Sequence, residues 1–137
     1  MPEATYRLDD FELYRLARQF RCRVYQLIRQ LPPAERYALD PQMRRAATSV
    51  TNNIAEGHGR WHFQQNIQFC RIARGSTEGV IDDINLCLDE GYGVPAFNEQ
   101  LKREAYDLIA RINGYIAYLN RCRPGRQEAT RLATDHR

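Results

Sequence analysis

One hydrophobic spacing occurs four times along this chain of 137 residues. Apolar residues follow one another at alternating steps of four and three positions, and this spacing aligns their side chains along one face of an α-helix. The four runs span Leu13–Leu31, Met43–Ile54, Ile67–Leu88 and Leu101–Leu119. Four such faces can enclose a shared core. The pattern therefore predicts an all-α, antiparallel up-down-up-down four-helix bundle.

Capping and breaking residues predict where the helices begin and end. Asp9 with Glu12 resembles a capping box, and Asp40 before Pro41 is typical of a helix start. The predicted helices are Asp9–Leu31, Asp40–Gly57, Trp61–Glu90 and Pro95–Arg121. Residues 10–122 form the predicted bundle, between a flexible leader at 1–9 and a polar, disordered tail at 123–137.

The N-terminus and the hydrophobic pattern indicate a cytoplasmic protein. Met1–Thr5 lacks the basic and apolar segments of a signal peptide. No stretch approaches the roughly 20 apolar residues of a membrane-spanning helix. Four scattered cysteines without a Cys-x-x-Cys pair are expected to be reduced, with Cys70 and Cys87 on the apolar side of the third helix.

Arginine supplies most of the positive charge, and its distribution is uneven. Nineteen of the 20 basic residues are Arg, and the net charge is +3. Residues 1–60 carry ten Arg against seven acids, whereas residues 61–99 carry two Arg against six acids. On the first helix, Arg18, Cys22, Tyr25 and Arg29 share one side.

Arginine interleaved with tyrosine can contact phosphate and stack on exposed bases. The candidate nucleic-acid-binding residues are Arg18, Arg21, Arg44, Arg45, Arg60, Arg71 and Arg74. The alternative is a set of solvated or salt-bridged arginines without a ligand, which the low net charge favours.

The third helix carries a second apolar face beside the first. Gly75 and Gly79 lie inside this helix, where each costs about 1 kcal/mol relative to Ala. Small residues let a second backbone approach closely, which indicates an oligomer interface. The candidate interface residues are Phe69, Ile72, Gly75, Ser76, Gly79 and Val80. The alternative is a wide apolar stripe on the most buried helix of a monomer.

Catalytic and metal-binding motifs are not recognisable. A di-iron bundle requires Glu-x-x-His on two helices, and no Glu here is followed by His at the third position. His58 and His62 are four residues apart, but the glycines on either side of His58 place it in a turn. We therefore expect no enzyme, no metal and no other cofactor.

Several motifs resemble those of the 23S ribosomal RNA intervening-sequence proteins, and the resemblance covers about residues 10–122. The motifs are Leu31–Leu39, Gln42–Ala47, Ser49–Val50, Asn53–Gly57, Gly59–Arg60, Ile72–Ser76 and Glu90–Tyr92. This chain departs from the family pattern at Asn66, where an aromatic residue is usual, and at Gly79, where Glu is frequent. Both departures lie on the third helix and predict altered packing there.

The resemblance implies a four-helix bundle without catalytic residues. Related bundles act as accessory proteins of diversity-generating retroelements, form five-membered rings and bind nucleic acid. The expected protein is therefore a homo-oligomer, most simply a pentamer, with RNA or DNA as a partner and no membrane contact. A ring that binds another protein and no nucleic acid is the alternative. Asn53 and Glu56 are expected to cap a helix or bridge subunits, and Gly57 to adopt a left-handed helix cap.

Overall fold

The computed structural model describes the backbone of residues 7–135 and the side chains of residues 7–122. Within these residues the chain is all α-helical, without β-strands, as the hydrophobic spacing predicts. The helices are α1 (Glu12–Ile28), α2 (Leu39–His58), α3 (Phe63–Glu90) and α4 (Pro95–Asp135). Short 3₁₀ turns at Leu8–Asp10 and Pro33–Glu35 precede α1 and α2.

A single apolar cluster holds the four helices together. Val24, Val50, Ile81 and Ile112 are buried in this cluster, one from each helix. The helices therefore pack along the faces that the hydrophobic spacing defines. α1 and α3 each contact both α2 and α4 but make little contact with each other, so α1 and α3 occupy diagonal corners.

The helix starts differ from the predicted ones. α1 begins at Glu12 without a side-chain cap, because Asp9 lies in the preceding 3₁₀ turn. α2 begins at Leu39, one residue before the predicted cap Asp40. The Oε1 atom of Glu35 accepts a hydrogen bond from the Leu39 N–H at 3.4 Å, while the Asp40 carboxylate accepts one from Arg44 at 2.6 Å. A carboxylate from the preceding turn therefore takes the capping role that the pattern assigns to Asp40.

The predicted ends of the chain fall only partly within the described residues. Residues 1–6 of the predicted leader and residues 136–137 lie outside the described part. α4 extends to Asp135, past the predicted end near Arg121. A proline removes one backbone donor and can kink a helix without ending it, so Pro124 is compatible with the longer helix. The prediction of a disordered tail otherwise concerns residues whose side chains are not described.

Two glycines form the turn between α3 and α4. α3 ends at Glu90, as predicted, and Gly91 and Gly93 have φ values of 73° and 74°. Only glycine adopts this left-handed conformation without a steric cost. The turn is tied to the α1–α2 loop because the Tyr92 hydroxyl donates a hydrogen bond to Glu35 at 2.8 Å.

Gly57 does not form the predicted left-handed cap. It lies inside α2, which ends at His58, and Gly59 caps the helix with an ordinary φ of −78°. A Cβ atom at Gly57 would lie 2.5 Å from Asn66 Oδ1 and 3.1 Å from Phe69 Cβ. Glycine at this position therefore permits the close approach of α3 to α2.

A carboxylate is buried where α2 meets α3. Asp83 is 3% exposed and accepts a hydrogen bond from Gln42 Nε2 at 2.6 Å. Burial raises the pKa of Asp83, the hydrogen bond from Gln42 opposes this shift, and the neighbouring Asp82 adds to it. Because the folded-state pKa exceeds the usual value, the contribution of Asp83 to stability is greatest at low pH. That contribution is lost as the pH rises through the folded-state pKa.

We expect Asp83→Asn to gain stability relative to the wild type as the pH rises from 4 to 7. The variant keeps an oxygen acceptor for Gln42 but has no charge to bury at neutral pH. Urea unfolding at several pH values measures the difference in unfolding free energy. Asp82→Asn, at the exposed neighbouring residue, is the control and should show a smaller pH dependence. A pH-independent difference between Asp83→Asn and the wild type would contradict the buried-charge explanation.

Candidate nucleic-acid interface

Arginines from α1 and α2 lie together on one side of the bundle. Two contacts cross the border between these helices. Arg21 Nη1 donates a hydrogen bond to Thr51 Oγ1 at 3.0 Å, and the Arg44 guanidinium lies over the Tyr25 ring at 5.0 Å. Helical periodicity places Arg18 and Arg29 on the Tyr25 side of α1, and Arg45 is exposed next to Arg44 in the sequence of α2. The α1–α2 basic face comprises Arg18, Arg21, Arg29, Arg44 and Arg45.

Three of these arginines have little or no compensating charge. Arg29 and Arg45 are exposed and make no ion pair with any side chain that the structure describes. Arg18 approaches Asp9 only at 3.8 Å, and both side chains are more than half exposed. Arg44 differs, because its hydrogen bond to Asp40 is the main cause that raises the pKa of this guanidinium. Exposed guanidinium groups without carboxylate partners can contact phosphate oxygens.

The tyrosines of this face are covered by arginine. The Arg44 guanidinium lies over Tyr25, and the Arg18 guanidinium lies 5.9 Å from the centre of the Tyr14 ring. Both rings are half-buried. The arginine–tyrosine interleaving that the sequence predicts is therefore present, but each guanidinium contacts a ring of its own subunit.

The other three predicted arginines lie outside the α1–α2 basic face. Arg60 follows α2, donates a hydrogen bond to Glu56 at 3.0 Å and lies over the Phe69 ring at 4.9 Å. Arg71 is exposed on α3. Arg74, also on α3, donates a hydrogen bond to Asn113 of α4 at 2.7 Å. The seven predicted residues therefore do not form a single patch.

The sequence and the fold both match a known family. The family model of the 23S rRNA-intervening sequence protein matches residues 9–114. The chain belongs to this family. A crystal structure of a protein of unknown function, from the S23 ribosomal protein family of Bacteroides thetaiotaomicron, is similar with a TM-score of 0.70 and 17% sequence identity. The alignment covers 76% of this chain and 97% of the other. A likeness at this identity establishes the fold alone. No curated protein matches the chain.

The predicted interface of this 23S rRNA-intervening sequence protein divides into two sides of α3. Val80 is 0% exposed and belongs to the core, so its assignment to an accessible interface is wrong for the isolated chain. Ser76 faces α2, where its hydroxyl lies 2.7 Å from that of Ser49. Phe69 also faces α2, beside Gly57 and beneath Arg60. Burial of Val80 in the core and packing of Phe69 and Ser76 against α2 account for the apolar pattern on this side of α3.

The remaining interface residues point outward from the bundle. Ile72 is 51% exposed, and Cβ atoms added at Gly75 and Gly79 would have no neighbour within 4 Å. The sequence interpretation missed Leu86, which is also exposed and continues the alternating spacing of three and four residues. The outer α3 face comprises Ile72, Gly75, Gly79 and Leu86.

Asn53 and Glu56 make contacts within the family fold. The Asn53 amide donates hydrogen bonds to the backbone oxygen and the hydroxyl of Ser49, at 2.8 and 3.0 Å. Glu56 accepts the hydrogen bond from Arg60, which spans the end of α2. Both residues therefore have partners inside the chain.

Burial shifts the pKa values of His58, Cys70 and Cys87. The His58 ring stacks on Phe11 at 4.9 Å, and burial lowers the pKa of His58. Burial raises the pKa of the Cys70 and Cys87 thiols to about 12 and about 11, so both stay protonated at neutral pH. Among the residues described, no group of three His, Cys, Asp or Glu could hold a metal ion. In that same part of the chain, no helix has the length and apolarity needed to cross a membrane.

Proposed function

We propose that this protein is a non-enzymatic nucleic-acid-binding protein that holds RNA through phosphate contacts on the α1–α2 basic face. The observation that carries the proposal is the set of exposed guanidinium groups on this face: Arg29 and Arg45 have no ion pair among the described side chains, and Arg18 has only a 3.8 Å contact with the exposed Asp9. Membership of the 23S rRNA-intervening sequence protein family supports RNA as the partner. The buried, protonated thiols of Cys70 and Cys87 and the His58 ring stacked on Phe11 support a binding role over a catalytic one.

We infer that neighbouring helices run antiparallel in an up-down-up-down bundle. Contacts between α2 and α3 pair Gln42 with Asp83 and Ser49 with Ser76, so residue numbers that increase along α2 pair with numbers that decrease along α3. The pairs Arg21–Thr51 and Tyr25–Arg44 relate α1 and α2 in the same way. The pairs Phe11–Tyr115 and Arg23–Glu104 do so for α1 and α4. This topology supports the proposed binding face, because it brings the arginines of α1 beside those of α2.

The proposal includes assembly into a ring of identical subunits, a pentamer by resemblance. The outer α3 face supports it, because the exposed Ile72 and the open glycines leave room for a second helix. Charge also supports it, since α3 carries five acids against two Arg and lies diagonally opposite α1. Contact between unlike faces gives a ring when the rotation between subunits closes. Light scattering at micromolar concentration tests the assembly, and a 16.0 kDa monomer would contradict it.

We expect the combined variant Arg18→Ala, Arg29→Ala and Arg45→Ala to bind structured RNA more weakly than the wild type. Each lost phosphate contact should reduce the slope of log affinity against log salt by about 1. Mobility-shift titrations between low and physiological salt measure this slope. Thermal melting followed by circular dichroism checks that the exposed substitutions leave the fold intact.

The matched control removes three exposed arginines elsewhere: Arg71→Ala, Arg103→Ala and Arg121→Ala. It lowers the net charge equally but should retain most of the wild-type salt slope. If both variants lose the same affinity, net charge and not the α1–α2 basic face governs binding. If micromolar wild-type protein shifts no RNA or DNA at low salt, the proposal that this protein binds nucleic acid is wrong.

A protein-interaction ring is the second candidate function. The outer α3 face favours it, because a half-exposed Ile72 beside two open glycines suits helix–helix contact. This candidate predicts assembly without nucleic-acid binding. The mobility-shift and light-scattering measurements together therefore distinguish the two functions.

A further inference from the structure

We infer that the α1–α2 basic face binds a nucleic-acid double helix along its phosphate backbones and does not stack the bases of a single strand. This inference rests on the proposed function and specifies its ligand. Three features carry it: the covered tyrosine rings, the spacing of the exposed arginines, and the location of the exposed aromatic side chains.

The ring of Tyr25 is unavailable for stacking on a base from the side where Arg44 lies. The Arg44 guanidinium is held over this ring by two interactions, the 5.0 Å contact with Tyr25 and a 2.6 Å hydrogen bond to Asp40. A base stacking there would have to displace a guanidinium fixed by a charge-assisted hydrogen bond. The Arg18 guanidinium lies 5.9 Å from the centre of the half-buried Tyr14 ring, without the short hydrogen bond that holds Arg44. Proteins that bind single strands depend on accessible aromatic surfaces, and both tyrosine rings of this face are half-buried, with Tyr25 covered on one side by a fixed guanidinium.

The exposed arginines of α1 are widely spaced, so the density of phosphates on the ligand affects how many of them can be contacted. Arg18 and Arg29 lie on the same side of α1, and the helical rise separates them by roughly 16 Å. Arg45 follows Arg44, which contacts Tyr25 between these two positions. A duplex carries one negative charge per about 1.7 Å of its axis, twice the density of a single strand. Each exposed guanidinium group therefore has more phosphates within reach on a duplex than on a single strand.

The exposed tyrosines lie outside the two helices that carry these arginines. Tyr106 projects from α4, and Tyr37 lies in the loop after α1. Tyr37 is 87% exposed, and the Arg36 guanidinium lies 5.7 Å from the centre of its ring. Tyr37 is therefore the aromatic residue nearest in sequence to the basic face that could stack on a base, and its removal tests the inference directly.

Fluorescence anisotropy with four probes of equal length tests the inference on the full chain. The probes are an RNA duplex, a DNA duplex, and unstructured single strands of RNA and DNA, all at low and at physiological salt. We expect both duplexes to bind roughly tenfold more tightly than either single strand. Tyr37→Ala should change every affinity by less than about twofold, while the combined variant of Arg18, Arg29 and Arg45 weakens duplex binding.

The outcomes separate this inference from the proposed function. Tighter or equal binding of a single strand, weakened by Tyr37→Ala, would overturn the duplex inference and leave nucleic-acid binding intact. Failure of all four probes to bind at low salt would overturn the proposed function itself.

Discussion

Gly57→Ala is expected to lower the free energy of unfolding by about 1–3 kcal/mol, the usual cost of overpacking a core. The added Cβ atom would lie 2.5 Å from Asn66 Oδ1, 3.1 Å from Phe69 Cβ and 3.2 Å from the backbone oxygen of Asn66. Asn66 cannot move away cheaply, because it is buried and its amide donates a hydrogen bond to the Tyr115 hydroxyl at 2.9 Å. Its Oδ1 atom also accepts a hydrogen bond from the Cys70 thiol at 3.5 Å.

Gly114→Ala is the matched control for this prediction. Gly114 lies inside α4, and a Cβ atom there would have no neighbour within 4 Å. Alanine should therefore raise the free energy of unfolding by up to about 1 kcal/mol through helix propensity alone. Urea denaturation of both variants measures the contrast. Equal stabilisation of both would show that α3 moves away from α2 without cost, and our account of Gly57 would be wrong.

Ile112→Ala is expected to lower the free energy of unfolding by about 2–5 kcal/mol. Ile112 is 0% exposed and packs in the central cluster, so the shorter side chain leaves a cavity. Chemical denaturation monitored by circular dichroism gives the difference directly. A loss below about 1 kcal/mol would mean that the helices collapse around the cavity and that this layer of the core is loosely packed.

Ile72→Ala makes the same chemical change on the outer α3 face. Ile72 is 51% exposed, so the stability of an isolated chain should change by no more than about 0.5 kcal/mol. A larger loss that depends on protein concentration would identify the outer α3 face as a subunit contact. The pair of isoleucine variants therefore tests the core and the proposed assembly in one set of measurements.

The helical faces could be predicted because burial in a bundle repeats with the helix period. Val24, Val50, Ile81 and Ile112 meet in one cluster, and the glycine at position 91 ends α3, as the sequence predicts. Helix starts could not be predicted equally well. The cap of α2 comes from Glu35, whose position depends on how the preceding turn folds. Gly57 shows a similar limit, since its close neighbours belong to another helix.

For the candidate site, the sequence could predict only which arginines share one side of the same helix. Periodicity places Arg18 and Arg29 on one side of α1, and the structure brings Arg44 beside them through Tyr25. Periodicity alone does not reveal which helix lies beside each face. For that reason Arg74, which bonds Asn113 of α4, could not be separated from the basic face by the sequence.

Asn66 joins α3 to α4 through a buried polar contact. Its amide donates a hydrogen bond to the Tyr115 hydroxyl of α4, and its Oδ1 atom accepts one from the Cys70 thiol within α3. A buried polar side chain is stabilising only when its partners are in place, so this position couples the packing of two helices. The altered packing on the third helix stays a prediction, and in this chain the contact at position 66 is made by hydrogen bonds.

One carboxylate links two loops that are far apart in sequence. The Glu35 carboxylate accepts hydrogen bonds from the Leu39 N–H at the start of α2 and from the Tyr92 hydroxyl in the turn before α4. Neither loop can open fully unless the other loses a hydrogen bond. We therefore expect local opening at this end of the bundle to couple the two loops.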